Sequence, residues 1–135
     1  MVASKKQILK DEPTEFKLLA IASSLSISQM VWNINQACTF SLTHNTELED
    51  ILGFPSFTDR QTYAGRVITL IGNKVTGRVL HAKLSNIDYI MEISGDTDEQ
   101  FIADLLKHLK SIKGIQVITH VQPSLLKLKE PYCAE

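Results

Sequence analysis

The chain has 135 residues, which fits one domain over 1–135, with loose termini expected at 1–4 and 130–135. Hydrophobic residues make up 44% and charged residues 21%, a composition that excludes an intrinsically disordered chain. The net charge of −1 and the lack of a Lys/Arg run argue against a nucleic-acid-binding surface. No apolar stretch approaches the length of a membrane span.

The cysteines and the N-terminal sequence favour a cytoplasmic protein. Cys38 and Cys133 stand far apart and neither belongs to a CxxC pair, which is typical of reduced thiols. Residues 1–16 contain lysines without the apolar core of a secretory signal peptide.

The chain begins with two predicted strands and a helix. Residues 5–10 favour a short strand, and residues 16–23 are apolar on both alternations, which is typical of a central strand. Residues 26–38 carry apolar side chains at helical spacing. Ser26 with Gln29 forms a capping-box pattern that marks the start of this helix.

The segment 44–61 is the least regular part of the sequence. Gly53 and Pro55 break any long element and leave room for one helical turn. Phe54 and Phe57 are too apolar for a free linker, so we expect this segment to pack back on the body of the protein.

Three strands are predicted next, at 62–72, 77–84 and 87–94. Their connections are short and contain Gly and Asn, which implies antiparallel neighbours.

A helix over 97–113 and a strand over 115–122 follow. Thr97 with Gln100 forms a second capping-box pattern, and Gly114 supplies the stop after the helix.

This order of elements predicts an α+β fold. We expect an antiparallel sheet of five to six strands with two main helices on one face, in a ferredoxin-like arrangement. The strand–helix–strand unit at 87–121 is expected to form a right-handed crossover. Strand 16–23 followed by helix 26–38 begins a second unit of the same kind. Interleaving the two units places strand 16–23 between strands 87–93 and 115–121.

Alternation along these strands assigns two faces to the sheet. The predicted helix-covered face carries Ile87, Tyr89, Met91, Ile93, Ile115, Val117 and Val121. The opposite face carries Asp88, Ile90, Glu92, Gln116, Ile118 and His120. Half of this second face is apolar, so we expect either the segment 44–61 or a second subunit to cover it.

The sequence predicts no catalytic residue, no metal site and no cofactor. The four histidines are not paired at metal-ligand spacing, and a strand separates His120 from Asp88 and Glu92, which places them roughly 10 Å apart. Cys38 lies on the buried stripe of its helix, where a thiol acts as a small apolar group. Asp88 and Glu92 share a strand face, but two solvated carboxylates are the more common explanation.

Five residues remain weak candidates for a binding site: Trp32, Asn35, Asp88, Glu92 and His120. Trp32 lies off the apolar stripe of its helix, and tryptophans often anchor interfaces. The simpler explanation for a tryptophan at this position is that Phe54 or Phe57 packs over its side chain.

Several short stretches suggest a family. The triplet IDY at 87–89, together with FKLLAIASS, WNIN, LIGNK and PSLLKLK, resembles the IPExxxVDY family of small bacterial proteins, over about residues 5–129. His81, Ala82 and Lys83 stand where that family's motif has Ile-Pro-Glu. The resemblance implies a compact α+β domain, and the family has no assigned activity to carry over.

Together these patterns favour a non-catalytic binding or protein-interaction module that self-associates as a homodimer. Its small-molecule ligand is unknown, and neither nucleic acid nor a membrane is expected as a partner. The alternative is a small enzyme with a pocket between the segment 44–61 and the sheet, using Asp88, Glu92 or His120 for proton transfer.

Overall fold

The computed structural model describes residues 15–133. Within this range the protein is α+β, with a six-stranded antiparallel sheet, a small two-stranded sheet and three α-helices. The strands are β1 Phe16–Ser23, β2 Thr43–His44, β3 Ser56–Asp59, β4 Arg66–Gly72, β5 Lys74–Val75, β6 Arg78–Val79, β7 Tyr89–Gly95 and β8 Ile115–Val121. The helices are α1 Ile27–Cys38, α2 Thr46–Leu52 and α3 Glu99–Lys110, with 3-10 turns at Ala82–Leu84 and Pro123–Leu126.

The main sheet has the strand order β2-β3-β4-β7-β1-β8, and every neighbouring pair is antiparallel. β1 lies between β7 and β8, with Leu19 opposite both Met91 and His120. The interior position predicted for residues 16–23 is therefore confirmed. It follows from a strand that is apolar on both of its faces.

The two long helices differ in how well their first residues were predicted. α1 begins with the capping box of Ser26 and Gln29, as the sequence indicates. α3 begins instead at Asp98, whose carboxylate accepts the Phe101 N–H at 2.7 Å. The predicted capping box of Thr97 and Gln100 is wrong, because Asp98 supplies the cap one residue later.

The strand predicted at 77–84 is also wrong. Its residues form β6, the second strand of the short β5–β6 hairpin, and a 3-10 turn. The Asn73 side chain donates to the Leu84 and Ile87 carbonyls and accepts the His81 N–H. These bonds take up backbone groups that a strand would pair with a neighbour.

Two further predicted strands need comment. The strand predicted at 62–72 begins only at Arg66, because Gly65 turns the chain with φ of 77°. The strand predicted at 5–10 lies outside the described residues.

The segment 44–61 is more regular than the sequence suggests. It supplies α2 and β3 and extends the sheet beyond β4. Phe54 is buried and Phe57 is half-buried against the main core, so the prediction that this segment packs back is confirmed.

The largest hydrophobic cluster contains buried residues of α1, of α3 and of the main sheet. Its fully buried members from the helices are Met30, Ile34 and Leu109, and those from the strands are Leu19, Ile21, Ile68, Leu70, Met91 and Ile93. We call the sheet face on which these strand residues lie the helix-covered face. The hydrophobic effect and dispersion are the main forces that stabilise this cluster.

The opposite face, which we call the second face, carries two smaller clusters. One is centred on Leu48, Phe54, Val67, Ile71 and Cys133, and the other on Leu18, Ala20, Ile90 and Val121. Residues of α2, the β5–β6 region and the C-terminal segment after β8 pack against them. The chain thus covers much of the half-apolar face with its own segments.

The face assignment along β8 requires a correction. Ile118 packs with the helix-covered cluster and Val121 with the second face, the reverse of the prediction. Ala22 lies opposite Val117 while Ser23 lies opposite Ile115, so Gln116 is an extra residue in a β-bulge. A bulge shifts the alternation by one residue, which simple period-2 counting cannot anticipate.

The face of Ile87 is corrected for a different reason. This residue precedes β7, which starts at Tyr89, and it packs on the second face with Leu18 and Ile90.

Candidate functional site

A row of polar side chains crosses three neighbouring strands of the second face. Thr58, Thr69 and Glu92 lie directly opposite one another on β3, β4 and β7. The two threonine hydroxyls are 3.3 Å apart, and the Asn45 amide donates to the Thr58 hydroxyl at 3.0 Å. Buried polar groups are costly unless they are paired, so such a row in the middle of a sheet needs partners above it.

Glu92 is the charged member of this row and is 0% exposed. Its Oε2 accepts the Tyr132 N–H at 2.7 Å, and its Oε1 accepts the Cys133 N–H at 3.0 Å. Burial raises the pKa of Glu92 from 4.5 to about 7, while the two N–H groups act in the opposite direction. A carboxylate deep in the fold thus holds the backbone of the C-terminal segment.

Cys133 is fixed by three further contacts. The Ser94 hydroxyl donates to the Cys133 carbonyl at 2.8 Å, and Nη2 of Arg60 donates to the Cys133 thiol sulfur at 2.7 Å. The Asn45 amide lies 3.8 Å from the same sulfur. We call Asn45, Arg60, Glu92 and Ser94 the tail-binding cluster.

These contacts correct the prediction of a loose terminus at 130–135, as far as that stretch is described. Cys133 is buried and Tyr132 is half-buried. The Tyr132 hydroxyl contacts Nε2 of His81. Burial, with Glu92 as a second cause, raises the pKa of Tyr132 to about 12, so its hydroxyl stays protonated at neutral pH.

A polar cleft adjoins the tail-binding cluster on the side of β2. Its volume is about 330 Å³, and Asn45, Thr58 and Arg60 contribute to its wall. The other lining residues are Ser41, Thr43, His44, Thr46, Glu47 and Gln61. The lining is dominated by hydroxyl, amide and charged groups, so this cleft differs from the mostly apolar pockets that bind drug-like molecules.

Asp88 and Tyr89, which belong to the family-like triplet, have structural roles. Oδ2 of Asp88 accepts the Ser23 N–H at 2.8 Å, and its Oδ1 lies 3.4 Å from the Lys74 ammonium. The Tyr89 hydroxyl donates to the Leu25 carbonyl. Both side chains tie β7 to the turn between β1 and α1.

His120 lies apart from both carboxylates. His120 of β8 lies opposite Leu19 of β1, so its side chain is on the helix-covered side. It lines a cleft of about 310 Å³ together with Glu99 of α3. The prediction that His120 shares a face with Asp88 and Glu92 is therefore wrong. The cause is the bulge at Gln116, which shifts the alternation of the β8 side chains that follow it. The three groups named for proton transfer do not meet at one point, and an enzyme hypothesis would rest on Glu92 alone.

The two candidates on α1 differ in their surroundings. Asn35 binds the backbone of the segment that follows α1. Its amide donates to the Leu42 carbonyl, and its Oδ1 accepts the Leu42 N–H. Trp32 is 64% exposed. The expectation that Phe54 or Phe57 covers Trp32 is wrong, since both phenylalanines pack against the sheet.

A reactive thiol and a group of metal ligands are two further kinds of site to consider among the described residues. Burial raises the pKa of Cys38 to about 12, which keeps this thiol protonated and unreactive. No group of three His, Cys, Asp or Glu side chains within 15–133 could hold a metal ion. In the same range, no helix is long and apolar enough to cross a membrane.

The tail-binding cluster was only partly visible in the sequence. Glu92 is the one charged residue in the otherwise apolar run YIMEI, a signal that a strand carries a buried or functional carboxylate. Arg60, Asn45 and Cys133 gave no such signal, because their contacts join segments far apart in the chain. Comparison with known proteins adds nothing to this assignment: no family model and no curated protein matches the chain.

Proposed function

We propose that the protein is a non-catalytic interaction module that binds a second copy of itself along the outer edge of β8. The observation that carries this proposal is the chemistry of that edge. Among residues 15–133, β8 is the last strand of the sheet, with β1 as its one neighbour, and it is seven residues long. The opposite edge, β2, has two residues.

The edge of β8 lacks the features that keep sheets apart. Its sequence, IQVITHV, contains no Asp, Glu, Lys, Arg or Pro, and five of its seven residues are β-branched. Natural edge strands usually carry charges, prolines or bulges that block pairing with another chain. The bulge at Gln116 disturbs one end and leaves Val117–Val121 in regular pairing with β1. Two such edges can pair antiparallel about a two-fold axis, which is the commonest symmetry of homodimers.

The apolar side chain of Val117 offers a direct test, because it is 49% exposed at this edge. We expect the mass measured by sedimentation or light scattering to rise toward that of a dimer as the concentration increases. Val117→Lys should weaken association by at least about tenfold, because it places a cation on the pairing edge of each copy.

Ile51→Lys is the matched control, since Ile51 is 79% exposed on α2. This variant should associate like the unmodified chain. A strict monomer at every concentration, or equal effects of the two lysine substitutions, would overturn the proposal.

We also propose that β1, α1, β4, β7, α3 and β8 form a ferredoxin-like arrangement with both long helices on one face. Support comes from the order β4-β7-β1-β8 with antiparallel neighbours. The buried residues of α1 and α3 also share one cluster. An experimental structure with the two helices on opposite faces would contradict this arrangement.

Membership of the IPExxxVDY family and a cytoplasmic location remain proposals. The contacts of Ile87, Asp88 and Tyr89 support the first, because each residue of the triplet holds β7 in place. The two cysteines outside any CxxC pair support the second. Recovery of the chain from the periplasmic fraction of a bacterial host would contradict the cytoplasmic location.

A further inference from the structure

The second face contains a cleft that shares no lining residue with the tail-binding cluster and that borders the end of β8, the strand used in the proposed dimer. Its volume is about 740 Å³. One wall is the turn Ala82–Leu84 with the residues that follow it, and the other is the end of β8 with the turn Pro123–Leu126. Ala20 of β1 lies at its base. This volume is in the range of sites for small organic molecules, about 300 to 1,000 Å³.

β1 contributes a small side chain to the cleft. The other residues of β1 that pack on the second face are Phe16 and Leu18. Ala20 ends in a methyl group between Ile90 on one side and Thr119 on the other, and it is 2% exposed. The base of the cleft is therefore apolar and closely packed.

The lining has an apolar interior. Leu84, Ile87 and Val121 contribute side chains that also belong to, or pack against, the small cluster beneath them. Leu125 lines the cleft and remains 46% exposed. An apolar ligand body would remove this leucine from water, which favours binding.

The charged groups of the cleft are cationic. Lys83 lies on one wall, and the described residues that line the cleft include no Asp or Glu. His120 also contributes to the wall, but its register with Leu19 places its imidazole on the helix-covered side. Lys83 is therefore the cation available to a ligand. Asn86, Gln122 and Ser124 add amide and hydroxyl donors around the opening.

We propose that this cleft binds a small carboxylate with an apolar body, with the carboxylate against Lys83 and the apolar part over Ala20 beside Leu125. The assignment rests on the pairing of an apolar base with a cationic, acid-free rim. It is independent of the proposed dimer, which uses the backbone edge of β8.

Titration calorimetry with octanoate tests the ligand class, with octylamine as the probe of opposite charge. Octanoate should bind and raise the melting temperature by mass action, whereas octylamine should bind at least about tenfold more weakly. Equal binding of the two probes, or no binding of octanoate at millimolar concentration, would overturn the proposal.

Two matched substitutions locate the site. Lys83→Glu reverses the charge of an exposed side chain in the cleft, and Lys107→Glu does the same on α3, outside it. Lys83→Glu should lower octanoate affinity by at least about tenfold, and Lys107→Glu should leave it unchanged. Equal effects of the two variants would show general charge attraction and remove the assignment. Association measured on the same variants keeps this outcome distinct from failure of the dimer proposal.

Discussion

The two faces of the central sheet are stabilised in different ways. On the helix-covered face, the described residues form one large cluster that takes in α1, α3 and five strands. On the second face, two small clusters occur together with a polar row that includes the buried carboxylate of Glu92. The first face depends mainly on burial, whereas the second also depends on hydrogen bonds between distant segments. The faces should therefore respond differently to cavities, to pH and to loss of single polar groups.

The largest expected effect is a cavity in the helix-covered face. Leu109 is 0% exposed at the centre of that cluster, so Leu109→Ala should lower the free energy of unfolding by about 3 to 5 kcal/mol. Leu48→Ala on the second face should cost only about 2 kcal/mol, because the seven-residue helix α2 can settle into the space. Urea unfolding measures both. Equal losses would show that the two faces are packed alike.

The second prediction uses the buried carboxylate of the second face. The pKa of Glu92 is raised from 4.5 to about 7, so the folded chain binds this proton more tightly than the unfolded chain does. The contribution of Glu92 to stability is complete below pH 4.5 and is lost as the pH rises to about 7. The difference between the two ends is on the order of 3 kcal/mol. Glu92→Gln should remove this slope from the unfolding free energy measured between pH 4.5 and 8.

Two comparisons make the pH experiment specific. Burial lowers the pKa of His81, which gives a slope of opposite sign, but this histidine is retained in Glu92→Gln and cancels in the difference. Glu130→Gln changes an exposed carboxylate close to the same tail and should keep the slope. A chain ending at Lys129 should lose it, because Glu92 then faces water. Identical slopes for both glutamine variants would contradict a buried, titrating Glu92.

The contrast between the faces also explains what the sequence could predict. Apolar periodicity over long elements identified α1, α3 and the interior position of β1, because each element contributes many residues to one repeated pattern. The cover of the second face consists of short segments held by single contacts, such as Glu92 to Tyr132, 40 residues apart. No local pattern encodes such a contact, and the bulge at Gln116 reversed the predicted faces of β8.

Asn73 provides the third prediction. This residue is 0% exposed, and its side chain serves the Leu84 and Ile87 carbonyls and the His81 N–H. Asn73→Ala leaves these groups without their partner and should cost about 2 to 3 kcal/mol in urea unfolding. Asn33→Ala is the control, since the Asn33 amide bonds only within the exposed surface of α1. A loss below 1 kcal/mol at Asn73, on the order of one ordinary hydrogen bond, would show that water replaces its contacts.

The smallest expected effect lies outside both faces, at Trp32. The side chain is 64% exposed on α1, so Trp32→Ala should change the free energy of unfolding by less than about 0.5 kcal/mol. The same variant is informative in the association experiment, because tryptophan is enriched among the residues that contribute most to binding at interfaces. With the dimer formed through β8, Trp32→Ala should leave the concentration dependence of the mass unchanged. If Trp32→Ala abolished association while Val117→Lys did not, the interaction surface would be the outer side of α1 and the edge of β8 would have no part in it.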